Sequence, residues 1–358
     1  MISRLSTCVR LEPVLLLALA VGCSGGATPR RATRVTPLLR LAYFPNVTHA
    51  QAVLGRARGE FAKTIGARVE WTQFNAGPSA VEALFAGAVD AAYIGPNPAI
   101  NGHLKSHGAS FVVVAGAASG GAALLVRADA GIRRDGDFHG RTVATPQLGN
   151  TQDVAARIWF AAHGYRLAET GGDLTLLPIA NPEQLLLFRT RAIDAAWTVE
   201  PWVSLLELEA GARVYLEERS LWPGGRYATA VLVVRRAYLH DHAGVVEQLL
   251  AAHVDGTLAL RAGGAALAEA IAEEIARATH AAVSPRVVRA ALSRLEFTWD
   301  PLPEALTKAA DDAYRAGFLA QRPVIGEMLD LGPLNRALAQ RGLPPLVAAA
   351  GARGEQQP

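Results

Sequence analysis

Five short loops carry the residues best suited to holding a small polar ligand. They are Pro45-Asn46-Val47-Thr48-His49, Asn75-Ala76-Gly77-Pro78-Ser79, Gly95-Pro96-Asn97-Pro98, Gln147-Leu148-Gly149-Asn150-Thr151 and Thr198-Val199-Glu200-Pro201-Trp202. Amides, hydroxyls and glycines dominate them, and none contains lysine or arginine. Each stands where an apolar run gives way to a helical pattern, so a helix start directs unpaired N–H groups and a positive dipole end into the loop. Such a set can hold a small anion by hydrogen bonds without a full countercharge. The same residues also fit helix capping. Thr48 with Gln51 and Ser79 with Glu82 have capping-box spacing, Asn97 precedes a proline suited to a first helical turn, and Asn150 stands three residues before Asp153. Capping is the simpler reading of any one loop; convergence of loops from two halves of the chain is what favours a ligand.

Other residues leave two readings open. His49 lies just inside a helix start, where the dipole favours the neutral imidazole, and it either donates to a ligand oxygen or faces solvent. Trp197 and Trp202 flank Glu200, and either indole can wall a cleft or belong to the core. Glu200 repels an anion unless it faces a cation or accepts N–H bonds, so it either caps the helix begun by Pro201 or pairs with an amine or amidine on the ligand. Ser119 directly precedes Gly120-Gly121 and one extended apolar run, and Arg226 precedes a second. The planar fork of Arg226 suits a sulfonate or carboxylate, and equally an exposed surface.

The elements that must position these residues alternate between strand and helix patterns, the mark of an α/β fold. Strands are expected at 38–44, 68–74, 90–94, 111–115, 142–145, 173–178 and 192–198. A single helix is expected from Thr48 to Ile65, and shorter ones at 79–85, after Asn97-Pro98, at 151–163, at 182–188 and from Pro201. Leu84-Phe85 followed by Asp90-Ala91-Ala92-Tyr93 repeats as Leu187-Phe188 followed by Asp194-Ala195-Ala196-Trp197. The repeat predicts two similar lobes with mostly parallel sheets, joined by crossover strands at 122–127 and 228–235, with a ligand cleft between them. The first lobe is expected to hold residues 37–126 and 229–347, the second 127–228. Helical patterns at 245–260, 265–277, 285–295 and 302–317 complete the first lobe, and 348–358 reads as a frayed tail.

Composition narrows the function classes. The chain has 358 residues, 35 basic against 32 acidic side chains and a formal charge of +3, with no run of like charge to make a nucleic-acid face. Residues 1–22 combine Arg4 and Arg10 with the apolar run Val14 to Val21, a secretory signal layout too short to span a bilayer. Leu19-Ala20-Val21-Gly22-Cys23 resembles a bacterial lipobox, in which Cys23 is acylated; ordinary cleavage near Gly22 is the alternative. Residues 23–36 then read as a flexible tether holding the protein to a membrane. The other cysteine, Cys8, belongs to the signal segment, so the folded body has no thiolate for catalysis, disulfides or metal. Neither a phosphate-cradling G-x-x-x-x-G-K-[ST] nor a metal-binding H-E-x-x-H occurs.

Tyr43-Phe44-Pro45-Asn46-Val47-Thr48-His49-Ala50, Asp90 through Pro98, and Ala196-Trp197-Thr198-Val199-Glu200-Pro201-Trp202 resemble the substrate-binding proteins of nitrate, sulfonate and taurine ABC importers. The resemblance runs from about Leu38 to Tyr238, and extends to the helical remainder only in general layout. It implies a type II periplasmic-binding-protein fold that closes on a small, anionic solute. It further implies a monomer without cofactor or metal that delivers its solute to a membrane permease driven by a separate ATPase. A binder of a thiamine-precursor-like pyrimidine, or an enzyme on the same fold, are the alternatives.

Overall fold

The alternating pattern resolves into eleven strands in a computed structural model that describes residues 36–346. The signal segment, Cys23, nearly all of the tether and the final tail lie outside the described residues. The strands are β1 (Leu38–Tyr43), β2 (Arg68–Gln73), β3 (Ala91–Ile94), β4 (Phe111–Gly120), β5 (Ala122–Arg127), β6 (Thr142–Thr145), β7 (Thr175–Pro178), β8 (Ala195–Val199), β9 (Ala212–Glu217), β10 (Ala228–Arg235) and β11 (Leu295–Phe297). One sheet runs β11-β4-β10-β3-β1-β2 and the other β7-β6-β8-β5-β9. Omitting β11, the two have one plan: a parallel trio, then two strands that each pair antiparallel to their neighbour. The sheets are therefore mixed, and the parallel expectation holds only for the trios. Helical crossovers lay strands parallel, whereas β5 and β10 arrive directly from the other lobe and run the opposite way.

The short sequence repeat has a structural cause. Asp90 accepts the Arg40 N–H at 2.9 Å, and Asp194 accepts the Thr142 N–H at 3.0 Å. Each aspartate opens the third strand of a trio and fastens it to the first, and the two alanines behind it are fully buried. Small side chains at those positions let helices pack closely on both faces of the sheet.

The hand-over between sheets falls at Gly121, not after residue 126. Gly120 and Gly121 both take positive φ, 83° and 73°, a bend that a side chain would strain, and β5 then pairs with β8 and β9. The expected helix from Thr48 to Ile65 is broken: a 3-10 turn (Val47–His49) leads into Ala50–Arg58, and Gly59 at φ 66° separates it from Glu60–Ile65. The late helices form at Ala243–Ala262, Ala265–Thr279, Pro285–Ser293 and Pro303–Arg315. The first two bury Val246, Leu249, Leu250, Ile271 and Ile275 against Leu39, Leu41 and Tyr43 on one face of the first sheet. Leu306 and Ala309 of the last pack with Ala42, Ile94 and Val231 on the other. The second sheet has its own cores, around Phe138, Phe160 and Trp197 on one face and Leu125, Phe188 and Leu206 on the other.

Candidate functional site

All five loops contribute to one cleft between the sheets, at the carboxyl ends of the parallel strands, where ligands of open α/β sheets bind. Phe44, Asn46, Thr48, His49, Asn75 and Gly95 line it from the first lobe, and Asn150, Gln152, Asn181 and Val199 from the second. Thr229, at the start of the returning strand β10, completes the wall. No carboxylate, lysine or arginine stands among these residues. The lobes are closed on a cavity of about 20 Å³, little more than a water molecule needs.

Closure is held by direct contacts. The Trp202 indole N–H donates to Asn46 Oδ1 at 2.9 Å, and the Val47 N–H donates to the Glu200 carbonyl at 3.1 Å. At the exposed rim, the Gln147 side-chain amide donates to Ser79 Oγ at 3.3 Å. Gly95 lies against Thr151 so tightly that any side chain at Gly95 would overlap Thr151 Oγ1.

The capping readings give way to others. Helices Gly77–Phe85, Pro96–Lys105, Thr151–Ala162 and Asn181–Arg189 all start without a side-chain cap bond. Ser79 and Asn97 sit inside the first turn instead of before it, because the prolines at the first positions allow each helix to begin early. Asn150 is the N-cap residue by position, but Asp153 is spent elsewhere: it accepts Gly149 N–H at 2.9 Å and Thr145 Oγ1–H at 2.8 Å. First-turn N–H groups and amide side chains are thus left for whatever occupies the cleft. Thr151 Oγ1 and Gln152 Nε2 are buried without a partner, which is costly unless a ligand supplies one.

His49 acts as a neutral donor. It is buried, its ring stacks on Phe44 at 4.5 Å, and its Nδ1 accepts the Phe44 N–H at 3.1 Å, which leaves the proton on Nε2. Burial pushes its pKa down to about 3, so it offers a hydrogen bond but no charge at neutral pH.

Several residues singled out in the sequence lie elsewhere. Glu200 caps its own helix: it accepts Ser204 N–H at 3.1 Å and Ser204 Oγ–H at 2.9 Å, and Arg294 approaches to 3.3 Å. Burial still lifts its carboxyl to about 7. Trp197 belongs to the second lobe's core, where its indole donates to Glu218 at 2.8 Å. Ser119 accepts the Tyr227 N–H at 3.1 Å at the strand crossing. Arg226 makes two hydrogen bonds to Glu296, at 2.9 and 2.6 Å, on the surface. Asn97 and Thr151 line a larger neighbouring cavity. Sequence reasoning missed Gln152, Asn181 and Thr229. Asn181-Pro182 could have been found, since it repeats the Asn-Pro helix start of Asn97-Pro98; nothing local marks Thr229.

The fold and cleft define a two-lobed α/β protein of the periplasmic-binding-protein type. The chain belongs to the NMT1-like family, whose model matches residues 33–276. The taurine-binding periplasmic protein of Escherichia coli is 25% identical over 207 residues, 57% of this chain and 61% of that relative. The chain thus matches less than two thirds of that relative's length. Among solved structures, the alkanesulfonate-binding protein SsuA from Xanthomonas axonopodis, bound to MOPS, superposes with a TM-score of 0.67 at 22% identity, covering 83% of this chain and 99% of that one. The periplasmic nitrate-binding protein NrtA from Synechocystis superposes with a TM-score of 0.72 at 14% identity, covering 86% and 90%.

Proposed function

We propose that the chain is the extracytoplasmic solute-binding component of an ABC importer and captures a small sulfonate or oxyanion between its lobes. The observation that carries this reading is the uncharged, donor-rich cleft lining: helix starts from both lobes, the His49 Nε2–H, and the unpartnered Gln152 amide. Donors fixed by the fold hold an anion without the desolvation cost of burying a lysine or arginine. The solute would be delivered to a membrane permease driven by a separate ATPase, with the protein tethered by acylated Cys23. A thiol-dependent reaction on the same fold is disfavoured because both cysteines, Cys8 and Cys23, precede the lobes.

Titration calorimetry with taurine, methanesulfonate and nitrate tests the reading. One of these is expected to bind with one-to-one stoichiometry, and Glu200→Gln to leave its affinity within about threefold, because Glu200 faces Ser204 and Arg294 rather than the cleft. Absence of binding by all three, or a large loss in Glu200→Gln, would count against an oxyanion site. The tether is checked separately: metabolic labelling with a fatty acid should mark the wild type and not Cys23→Ser, while solute affinity stays unchanged.

A further inference from the structure

Beside the solute cleft lies a much larger cavity, about 750 Å³, in the size range of sites for drug-sized ligands. One part of its wall is apolar: Val154, Ile158 and Trp159 from the helix Thr151–Ala162, Leu216 from β9, and Leu221 and Trp222 from the turns that follow. Lys308, Ala309 and Asp312 of the helix Pro303–Arg315 close it from the first lobe. The two cavities share no lining residue; they adjoin where Thr151, in the wall of the larger one, meets Gly95 of the solute cleft.

One carboxylate stands in this apolar wall without a counter-ion. Glu218 is 1% exposed; the Trp197 indole satisfies Oε2, while no donor reaches Oε1 with hydrogen-bond geometry. Trp222 and Lys308 lie close enough to stabilise the charge slightly, yet burial dominates and lifts the carboxyl to about 7. Two of the basic groups that line it, Lys308 and Arg213, are engaged elsewhere. Lys308 pairs with Asp312 and sits over the Trp222 ring at 4.6 Å, and Arg213 donates to the Ile132 carbonyl. Arg133 and Asp135 stand together at the rim, where Asp135 meets the Tyr215 hydroxyl and approaches His163 at 3.5 Å.

We propose that this cavity is a second binding site, for a small organic cation with an aromatic or branched apolar body and one protonated nitrogen directed at Glu218. The apolar body would bury against Trp159, Ile158 and Leu216, and the cation would supply the partner that Oε1 lacks. An anionic ligand is disfavoured by the same carboxylate, so the chemistry is opposite to that of the solute cleft.

The test uses three probes of one shape: benzamidine, its neutral isostere benzamide, and benzoate. Binding is read from quenching of the intrinsic tryptophan fluorescence, since Trp159 and Trp222 form the walls. Wild-type protein is expected to prefer benzamidine over benzamide by about 10- to 150-fold, the worth of a charge-assisted hydrogen bond, and to reject benzoate. Glu218→Gln should erase the preference. Ala155→Phe, at a half-buried position lining the cavity, should abolish benzamidine binding while Glu218 stays in place, which covers the case where the first variant folds poorly. Equal binding of benzamidine and benzamide, a preference that survives Glu218→Gln, or no binding by any probe would each overturn the proposal. Saturating taurine or methanesulfonate should not displace benzamidine; strict competition would mean one site and refute a second. The oxyanion titrations can succeed or fail independently of these results.

Discussion

Solute affinity is expected to fall by about 10- to 100-fold in Gly95→Val, with little change in the melting temperature of the ligand-free protein. Gly95 has φ −71° and ψ 158°, a conformation open to any residue, so the substitution brings no backbone strain. The obstacle is the opposite lobe: a side chain at Gly95 would overlap Thr151 Oγ1 and press toward Asn150 Oδ1. That collision exists only when the lobes are shut. Overpacking of this kind costs about 1–3 kcal/mol, and here it would weigh on the closed state alone. Ligand binds across both lobes and so favours closure, and the penalty should appear in full as lost affinity. Solution scattering gives a second reading: saturating solute should compact the wild type and leave Gly95→Val extended. Partial recovery in Gly95→Val with Thr151→Ala would identify the blocked contact. Unchanged affinity in Gly95→Val would mean that solute binds without this closure.

The second large effect concerns pH. Glu218 and Glu200 both have carboxyls raised from an ordinary 4.5 to about 7, each chiefly by burial. Between these values the native state holds a proton that the unfolded chain has released, so stability falls as pH rises through this window. For a carboxyl moved this far the loss is about 3 kcal/mol, and it is complete above pH 7. Glu218 is the cleaner case, because Arg294 offsets part of the charge on Glu200 whereas no cation contacts Glu218. Thermal melts of wild type and Glu218→Gln at pH 4.5 and 7.5 isolate its share. The difference between them should move by about 3 kcal/mol in favour of the variant at the higher pH, roughly 4–5 °C in a chain of this size. A difference that stays constant with pH would mean that Glu218 is ionised throughout.

Much of this arrangement was legible in the sequence. Strand and helix periods, the Asp-Ala-Ala-aromatic repeat and the two apolar crossings foretold two lobes of one plan, because each rests on local pattern. The loops Asn46 to His49 and Gly149 to Thr151 were recognisable as cleft formers for the same reason. What escaped depends on distant partners. The fate of Glu200 is decided by Ser204 and by Arg294, which lies 94 positions away. Trp197 turned inward because Glu218, two strands' length later, satisfies its indole. Arg226 looked free in the sequence, but β11 brings Glu296 beside it. The helix starts were misplaced at Ser79 and Asn97 because proline permits a first turn where side-chain capping would have begun one later.

The positions at which the chain changes sheets have one more consequence. In the first sheet, Ser119, just before the departure, is paired with Ala228, just after the return. In the second, Ala123, the second residue of β5, stands opposite Glu217, the last residue of β9. The ends of the second lobe therefore meet, and so do the ends of the gap it would leave. That is the geometry of a cassette: the piece can in principle be lifted out, closed with a short turn, or exchanged for another, with neither part stretched to reach. Adjacent crossings also form one narrow jamb, which lets the second lobe swing like a door while each sheet keeps its own hydrogen bonds.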